Sequence, residues 1–124
     1  MPYLAPEVVT RWSNAKKNLT SSLAKVKPNA TLKQSTIDTL KKNLDGFDGG
    51  LTPKLKKAAA AKDDKEAVLA IGESINIIKG YKTKIGEWGK IGSNIGTQLT
   101  TILNEVQTAC EHALVAINAN TPRR

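Results

Sequence analysis

The fold is decided by residues 63–118, which read DDKEAVLAIGESINIIKGYKTKIGEWGKIGSNIGTQLTTILNEVQTACEHALVAIN. In the second half of this stretch, apolar residues recur at steps of three and four, which is the spacing of one face of an α-helix. These residues are Ile91, Ile95, Leu99, Ile102, Val106, Ala109, Ala113 and Ile117, with Leu103, Cys110 and Leu114 along one edge. We predict a helix over 93–118, which Pro122 prevents from continuing.

The first half of the stretch predicts a second amphipathic helix. Asp63 and Glu66 have the spacing of a capping box, in which each side chain bonds a free backbone N–H group. The apolar stripe that follows consists of Val68, Ile71, Ile75, Ile78 and Ile85. Ile77, Tyr81 and Trp88 form a second apolar side. A helix that is apolar on two sides packs between two neighbours, or packs one side and offers the other to a partner.

Four glycines separate the two helices: Gly86, Gly89, Gly92 and Gly96. Each glycine costs a helix roughly 1 kcal/mol relative to alanine, so the cluster predicts a turn within 86–94. The alternative is a helix in which Gly92 and Gly96 allow another backbone to approach closely. Trp88 lies in this segment, either capping the bundle core or forming an exposed anchor for a partner or a membrane.

The first 62 residues predict shorter helices. Pro6 and Glu7 suit the first turn of a helix that runs to about Val26, with Trp12 on its apolar face. A second helix is expected over 31–45, followed by Gly46 as its stop and by a loop over 48–50.

A further short helix over 54–62 is expected after the Thr52-Pro53 pair. It either stands alone or forms one bent helix with the segment that begins at Asp63. The whole chain, residues 1–124, is therefore predicted to be a single all-α domain. We expect a four- to five-helix bundle organised around the long C-terminal hairpin.

Composition limits the classes of protein that fit. No run of about 18 apolar residues is present, so we expect no transmembrane helix. The first residues do not resemble a secretory signal peptide, which predicts a cytoplasmic protein or one exported without a classical signal. One cysteine, Cys110, cannot form an internal disulfide bond.

The net charge of +8 lies entirely in the first half. Residues 1–62 contain twelve Lys or Arg and four Asp or Glu, whereas residues 63–124 contain seven of each kind. The asymmetry suggests binding to a nucleic acid or another anionic surface. The candidate residues are Arg11, Lys16, Lys17, Lys54, Lys56 and Lys57. The simpler explanation is that lysines keep the helices soluble, and the lack of aromatic residues among them argues against single-strand binding.

Candidate catalytic chemistry is sparse. His112 is the single histidine and is expected on the polar side of its helix, with Glu105, seven residues earlier, roughly on the same side. Zinc needs three or four ligands, so this pair predicts no metal site. Cys110 is expected at the edge of the buried stripe, where nothing lowers its pKa. We predict no catalytic residue, no cofactor and no enzymatic activity.

The leading functional hypothesis is a non-catalytic interaction or assembly protein that binds a protein partner or itself. A structural or secretion-associated component of a bacterial or phage system is one such protein. The residues expected to contact the partner are Ile77, Tyr81, Lys84 and Trp88. The alternatives are the anionic-surface binding described above and a membrane-active effector or toxin that opens its hairpin, as the glycines and isoleucines of 71–102 suggest.

Overall fold

The computed structural model describes residues 3–90 and 93–120, and all regular structure in these ranges is helical. The helices are α1 (Pro6–Ala24), α2 (Gln34–Ala59), α3 (Asp64–Lys82), a 3₁₀ helix (Ile85–Lys90) and α4 (Ser93–Asn120). The all-α prediction is confirmed, with four α-helices in the described part of the chain.

The four helices form a bundle in which each packs on two others. Helix α1 contacts α2 and α4, and α3 likewise contacts α2 and α4. Trp12 bonds Asp48 while Lys16 pairs with Asp45, so α1 and α2 run antiparallel. One buried cluster joins apolar side chains of all four helices, and Leu4 of the lead-in segment belongs to it.

Helix α3 returns antiparallel to α2. Lys54 Nζ lies 2.8 Å from Glu73 Oε2, and the rings of Phe47 and Tyr81 are stacked with centroids 4.2 Å apart. The 3₁₀ helix then packs on the start of α4, which brings α4 back along α3. Both α3 and α4, the helices of the predicted hairpin, contribute to the core.

The prediction of a helix stop at Gly46 and a loop over 48–50 is wrong. Helix α2 continues through Gly46, Gly49, Gly50 and Pro53 to Ala59. Its buried side chains follow one uninterrupted helical stripe: Ile37, Leu40, Leu44, Phe47, Leu51, Leu55 and Ala58. Burial of this stripe outweighs the local preference of glycine and proline for a turn, because tertiary packing supplies most of the stability of a protein helix.

The short helix predicted over 54–62 is therefore the last part of α2, not a separate element. Helix α2 begins at Gln34, later than the predicted start near Thr31. The reason is a side chain that hydrogen-bonds the backbone of the first residues of the predicted helix. Asn29 Oδ1 accepts hydrogen bonds from the backbone N–H groups of Thr31 and Leu32, each at 2.9 Å, and holds these residues in a turn.

The capping box at the start of α3 is confirmed in its main contact. Glu66 N donates to Asp63 Oδ1 at 2.8 Å, and Glu66 Oε2 accepts from Lys62 N at 3.3 Å. Within the stripe predicted for α3, Val68 does not belong to the core, because it is 38% exposed. Ala67 and Ala70 are buried instead, since α3 is rotated to turn its small residues towards its neighbours.

Helix α4 agrees closely with the prediction from residue spacing. Leu99, Ile102, Val106 and Ile117 are buried, and Cys110 at the predicted edge is fully buried. Between α3 and α4 the described residues form a 3₁₀ helix, Ile85–Lys90, so the α-helix is interrupted in the region for which the glycines predict a turn. Ile91 and Gly92 lie outside the described residues, so the Gly92–Gly96 spacing is not described.

The helical state of 46–53 leads to a stability prediction. We expect Gly49→Ala and Gly50→Ala each to raise the free energy of unfolding by up to about 1 kcal/mol. A Cβ atom at either position would have nothing within 4 Å, so it adds no steric clash. Urea denaturation would measure the gain. Loss of stability in both variants would contradict a continuous helix.

A second prediction concerns Asp48, which accepts from Trp12 Nε1 at 2.8 Å and from Thr52 Oγ1 at 2.6 Å. Asp48→Ala leaves the N–H group of a fully buried indole without a partner, so we expect a loss of about 1–3 kcal/mol. Asp48→Asn keeps a side-chain oxygen at this place and serves as the matched control. Equal losses in both variants, measured by urea denaturation, would show that the hydrogen bond is not the cause.

Candidate functional site

An open groove runs between α2 and α3 and has a volume of about 510 Å³. Its lining comes from both helices: Lys42, Asn43, Gly46, Phe47, Ile77, Gly80, Tyr81 and Lys84. A smaller hollow of about 300 Å³ continues from it towards the 3₁₀ helix and shares Asn43, Tyr81 and Lys84 with it. We call the two together the α2–α3 groove.

The α2–α3 groove has an aromatic floor. Phe47 stacks on Tyr81 with an angle of 9° between their planes, and it meets Trp12 edge to face at 5.4 Å. Trp88 lines the smaller hollow and is 1% exposed. Of the two alternatives for Trp88, the structure shows the core position. The floor is therefore rigid, because its rings are also part of the bundle core.

The groove is open because glycines stand where side chains would fill it. A Cβ atom built on Gly46 of α2 or on Gly80 of α3 would have nothing within 4 Å. Lys42 and Lys84 are exposed on the two walls and form no ion pair with the described residues. A ligand that fits these walls combines an apolar face with negative charge.

The hydroxyl group of Tyr81 is buried and has no hydrogen-bond partner in the described part of the chain. Burial raises the pKa of Tyr81 to about 12, and the nearby Trp88 indole N–H lowers the pKa by less because it favours the phenolate, although its geometry falls short of a hydrogen bond. The phenol is therefore neutral at physiological pH.

The four residues predicted to contact a partner all line the α2–α3 groove, although they contribute differently. Ile77 is half-buried and Lys84 is exposed, so both present surface to a ligand, whereas Tyr81 and Trp88 mainly form the floor. Their role in binding remains a prediction.

The α2 wall was missed: Lys42, Asn43, Gly46 and Phe47 were not among the predicted contact residues. The sequence signal at Gly46 predicted the end of a helix there, which hid the fact that this segment faces α3.

The basic residues proposed to bind a polyanion do not form one free cationic face. Arg11 pairs with Glu105 at 3.6 Å, Lys16 with Asp45 at 2.7 Å and Lys54 with Glu73 at 2.8 Å. The remaining three, Lys17, Lys56 and Lys57, are exposed. Lys56 and Lys57 lie in the last turn of α2, where positive charge also stabilises the helix dipole.

The other candidate groups stay isolated. His112 is exposed on α4 as predicted, and Glu105 pairs with Arg11 instead of His112. Among residues 3–90 and 93–120, no three metal-binding side chains lie together, and no helix has the length and apolar content needed to span a bilayer.

A second surface groove of about 510 Å³ lies between α1 and α4. Most of its lining residues are polar residues of α1, including Glu7, Thr10 and Asn14, although the lining surface itself is mostly apolar, and its Arg11 pairs with Glu105. Volume alone does not distinguish the two grooves. The α2–α3 groove combines aromatic residues with unpaired cations, and this combination makes it the better candidate for binding.

No family model, no curated protein and no solved structure matches the chain. The functional argument therefore rests on the residues themselves.

The thiol of Cys110 is also buried, and its burial predicts that the stability of the fold depends on pH. Burial, with a smaller contribution from Glu111, raises the pKa of Cys110 from 9.0 to about 11. The thiol loses its proton at lower pH in the unfolded chain than in the folded chain. The free energy of unfolding should therefore fall as the pH rises from 9 to 11, and Cys110 should account for about 2–3 kcal/mol of the fall. Cys110→Ala should show a shallower fall in urea denaturation over this range. The same slope in both proteins would contradict the assignment.

Proposed function

We propose that this protein is a non-catalytic interaction protein that binds a protein partner in the α2–α3 groove. The observation that carries the proposal is the combination of an aromatic floor, walls opened by glycine and two exposed lysines. Ile77 and Phe47 offer apolar contact, and Gly46 and Gly80 leave room for it. This arrangement fits the amphipathic helix of a partner, which buries its apolar face in a groove.

Preorganisation supports binding in this groove. The stacked rings of Phe47 and Tyr81 are held from behind by Trp12, so the floor has little freedom to lose when a ligand arrives. Because association is opposed by the ordering of side chains, a rigid aromatic surface binds at lower entropic cost than a flexible one. Lys42 and Lys84 would select a partner with acidic residues beside its apolar contacts.

The residues of the groove do not favour catalysis. Its ionisable groups are two exposed lysines and Tyr81, whose phenol is held neutral by burial. No nucleophile lies beside a base in this lining. The alternative of polyanion binding has weaker support, because Arg11, Lys16 and Lys54 are already paired with carboxylates.

Site-specific photo-crosslinking in the cells that produce the protein would test the proposal. Ile77 is replaced by a photoreactive phenylalanine analogue, and the same replacement at Thr20, exposed on α1, is the control. We expect one partner, identified by mass spectrometry, to cross-link through position 77 and not through position 20. Lys42→Glu together with Lys84→Glu should abolish the product. The same products from both positions, or none from position 77, would contradict the proposal.

A further inference from the structure

The net charge of the chain is concentrated at one end of the bundle, which we call the loop end. It consists of residues 17–44, which include the connection between α1 and α2, and residues 83–103, which include the start of α4. The loop end contains eight lysines and two acidic residues, a net charge of +6. The rest of the chain as far as residue 122 contains nine Lys or Arg and nine Asp or Glu, so it is neutral. The remaining two charges belong to Arg123 and Arg124, outside the described residues.

The fold brings the two parts of the loop end together. Helices α1 and α2 run antiparallel, so the connection between them closes the bundle at this end. Leu40 of α2 lines the smaller hollow of the α2–α3 groove together with Lys84 and Trp88. Gly96 of α4 packs on Trp88, because a Cβ atom built on this glycine would lie 3.6 Å from the Trp88 Cβ atom. The basic character of the first half of the sequence is therefore a property of one end of the fold.

The cations of the loop end have no carboxylate partners among the described residues. The three ion pairs in that part of the chain all lie outside the loop end, and each of them joins two helices. Asp38 of the loop end accepts a hydrogen bond from Gln34 Nε2 at 2.9 Å and pairs with no lysine. The loop-end lysines whose side chains are described are exposed, apart from the half-buried Lys41: Lys17, Lys25, Lys27, Lys33, Lys41, Lys42 and Lys84.

These lysines come from several elements and do not follow one side of the bundle. Lys17 lies on α1, Lys41 and Lys42 lie on α2, and Lys84 follows α3, while the others lie in the connection or at its ends. A nucleic-acid duplex that contacts one side of the bundle would meet only some of them. A flat surface that approaches the end of the bundle meets them all. Lys17 and Lys41 are each seven residues from the end of their helix, which is about 10 Å and close to the Debye length at physiological salt.

The residue types of the loop end fit lipid headgroups better than nucleic-acid bases. These ranges contain no arginine, and their one aromatic residue is Trp88, whose side chain is buried. Recognition of base edges relies largely on arginine, and single strands stack on exposed aromatic rings. Lysine attracts anionic headgroups by its charge alone, and clusters of about four to eight basic residues at a bilayer surface bind anionic lipids.

We propose that the loop end binds the surface of a membrane that contains anionic lipids, with the bundle axis pointing away from the membrane. The contact is electrostatic, because the large apolar side chains of the connection are not free to insert: Leu32 is buried and Val26 is half-buried. Binding is therefore reversible and weakens as the salt concentration rises. It is independent of the partner in the α2–α3 groove, because Lys25, Lys27 and Lys33 do not line that groove.

Co-sedimentation of the full chain with lipid vesicles tests the proposal. Vesicles of phosphatidylcholine that contain about one third phosphatidylserine should retain the protein at about 0.1 M salt and release it at about 0.5 M. Vesicles of phosphatidylcholine alone should not retain it, because they carry no net negative charge. No retention on the anionic vesicles, or retention that salt does not weaken, would overturn the proposal.

Two double variants with the same net charge locate the contact. Lys25→Gln with Lys27→Gln should weaken vesicle binding about 25-fold, because each lysine near an anionic bilayer contributes about fivefold. Lys56→Gln with Lys57→Gln removes the same charge from the last turn of α2, at the opposite end of the bundle, and should leave binding almost unchanged. All four lysines are exposed, and circular dichroism would check that both variants remain folded. Equal losses in the two variants would show that net charge alone drives binding and would overturn the site.

Energy transfer to a labelled lipid tests the orientation. A donor dye is attached to Ala30→Cys in the connection or to Asn118→Cys near the end of α4, both at exposed positions. Helix α4 runs about 40 Å from the loop end to position 118, so transfer should be stronger from position 30. The buried Cys110 should not take the dye. Equal transfer from the two positions would overturn the end-on contact.

A short DNA duplex in place of the vesicles decides between the two kinds of anionic partner. Tighter binding to the duplex than to the vesicles, at the same concentration of negative charge, would assign the loop end to nucleic acid and overturn the membrane proposal. None of these results bears on the proposed function, whose own test is an identified partner protein at position 77. A protein that binds vesicles but gives no product at position 77 would refute the groove proposal alone.

Discussion

The structure depends on the contact between α1 and α2 made by Trp12. Its fully buried indole donates to Asp48, and its ring meets Phe47, which in turn stacks on Tyr81 of α3. Asp48 can accept this bond only if it points towards α1, and Phe47 can stack only if it points between α1 and α3. A continuous helix through 46–53 satisfies both conditions, because adjacent residues of a helix point about 100° apart.

In the part of α2 that contains the glycines and Pro53, the cost of keeping these residues helical is about as large as the gain from burying their apolar neighbours. Three glycines and Pro53 in a helix interior cost about 6 kcal/mol relative to alanine. Complete burial of Phe47, Leu51 and Leu55 contributes about 2 kcal/mol each, which is also about 6 kcal/mol in total. The hydrogen bonds to Asp48 add to this. The helix is thus maintained by its neighbours and not by its own propensity, which explains the wrong prediction of a loop.

The parts of the fold that were predictable are those for which local and tertiary preferences agree. In α4 the apolar spacing is regular and no glycine or proline interrupts it after Gly96, so the prediction was confirmed. Asp63 caps α3 through a contact three residues away. In α2 the glycines and Pro53 predict a loop, whereas packing against α1 and α3 keeps the segment helical. The balance between the two depends on contacts with distant residues, which residue spacing within one helix does not show. The α2 wall of the groove was missed for the same reason, since it lies in the segment read as a helix stop.

Helix α3 connects stability with the proposed binding. Its inner residues, such as Ile71 and Ile78, are fully buried, while Ile77 and Lys84 line the groove. Tyr81 belongs to both, since its ring is part of the core and of the floor. A change that disturbs the aromatic stack should therefore alter the groove as well as the bundle. The glycines that open the groove lie on the outer side, where they leave the packing of the core unaffected.

The central claim is that packing keeps α2 helical through Gly46, Gly49, Gly50 and Pro53. Amide hydrogen exchange followed by NMR, with Cα chemical shifts of the same residues, tests it most directly. The account predicts helical shifts across 43–55 and slow exchange of the Leu51 amide, as in the middle of a helix. Random-coil shifts over 46–50, with exchange as fast as in an open loop, would contradict it.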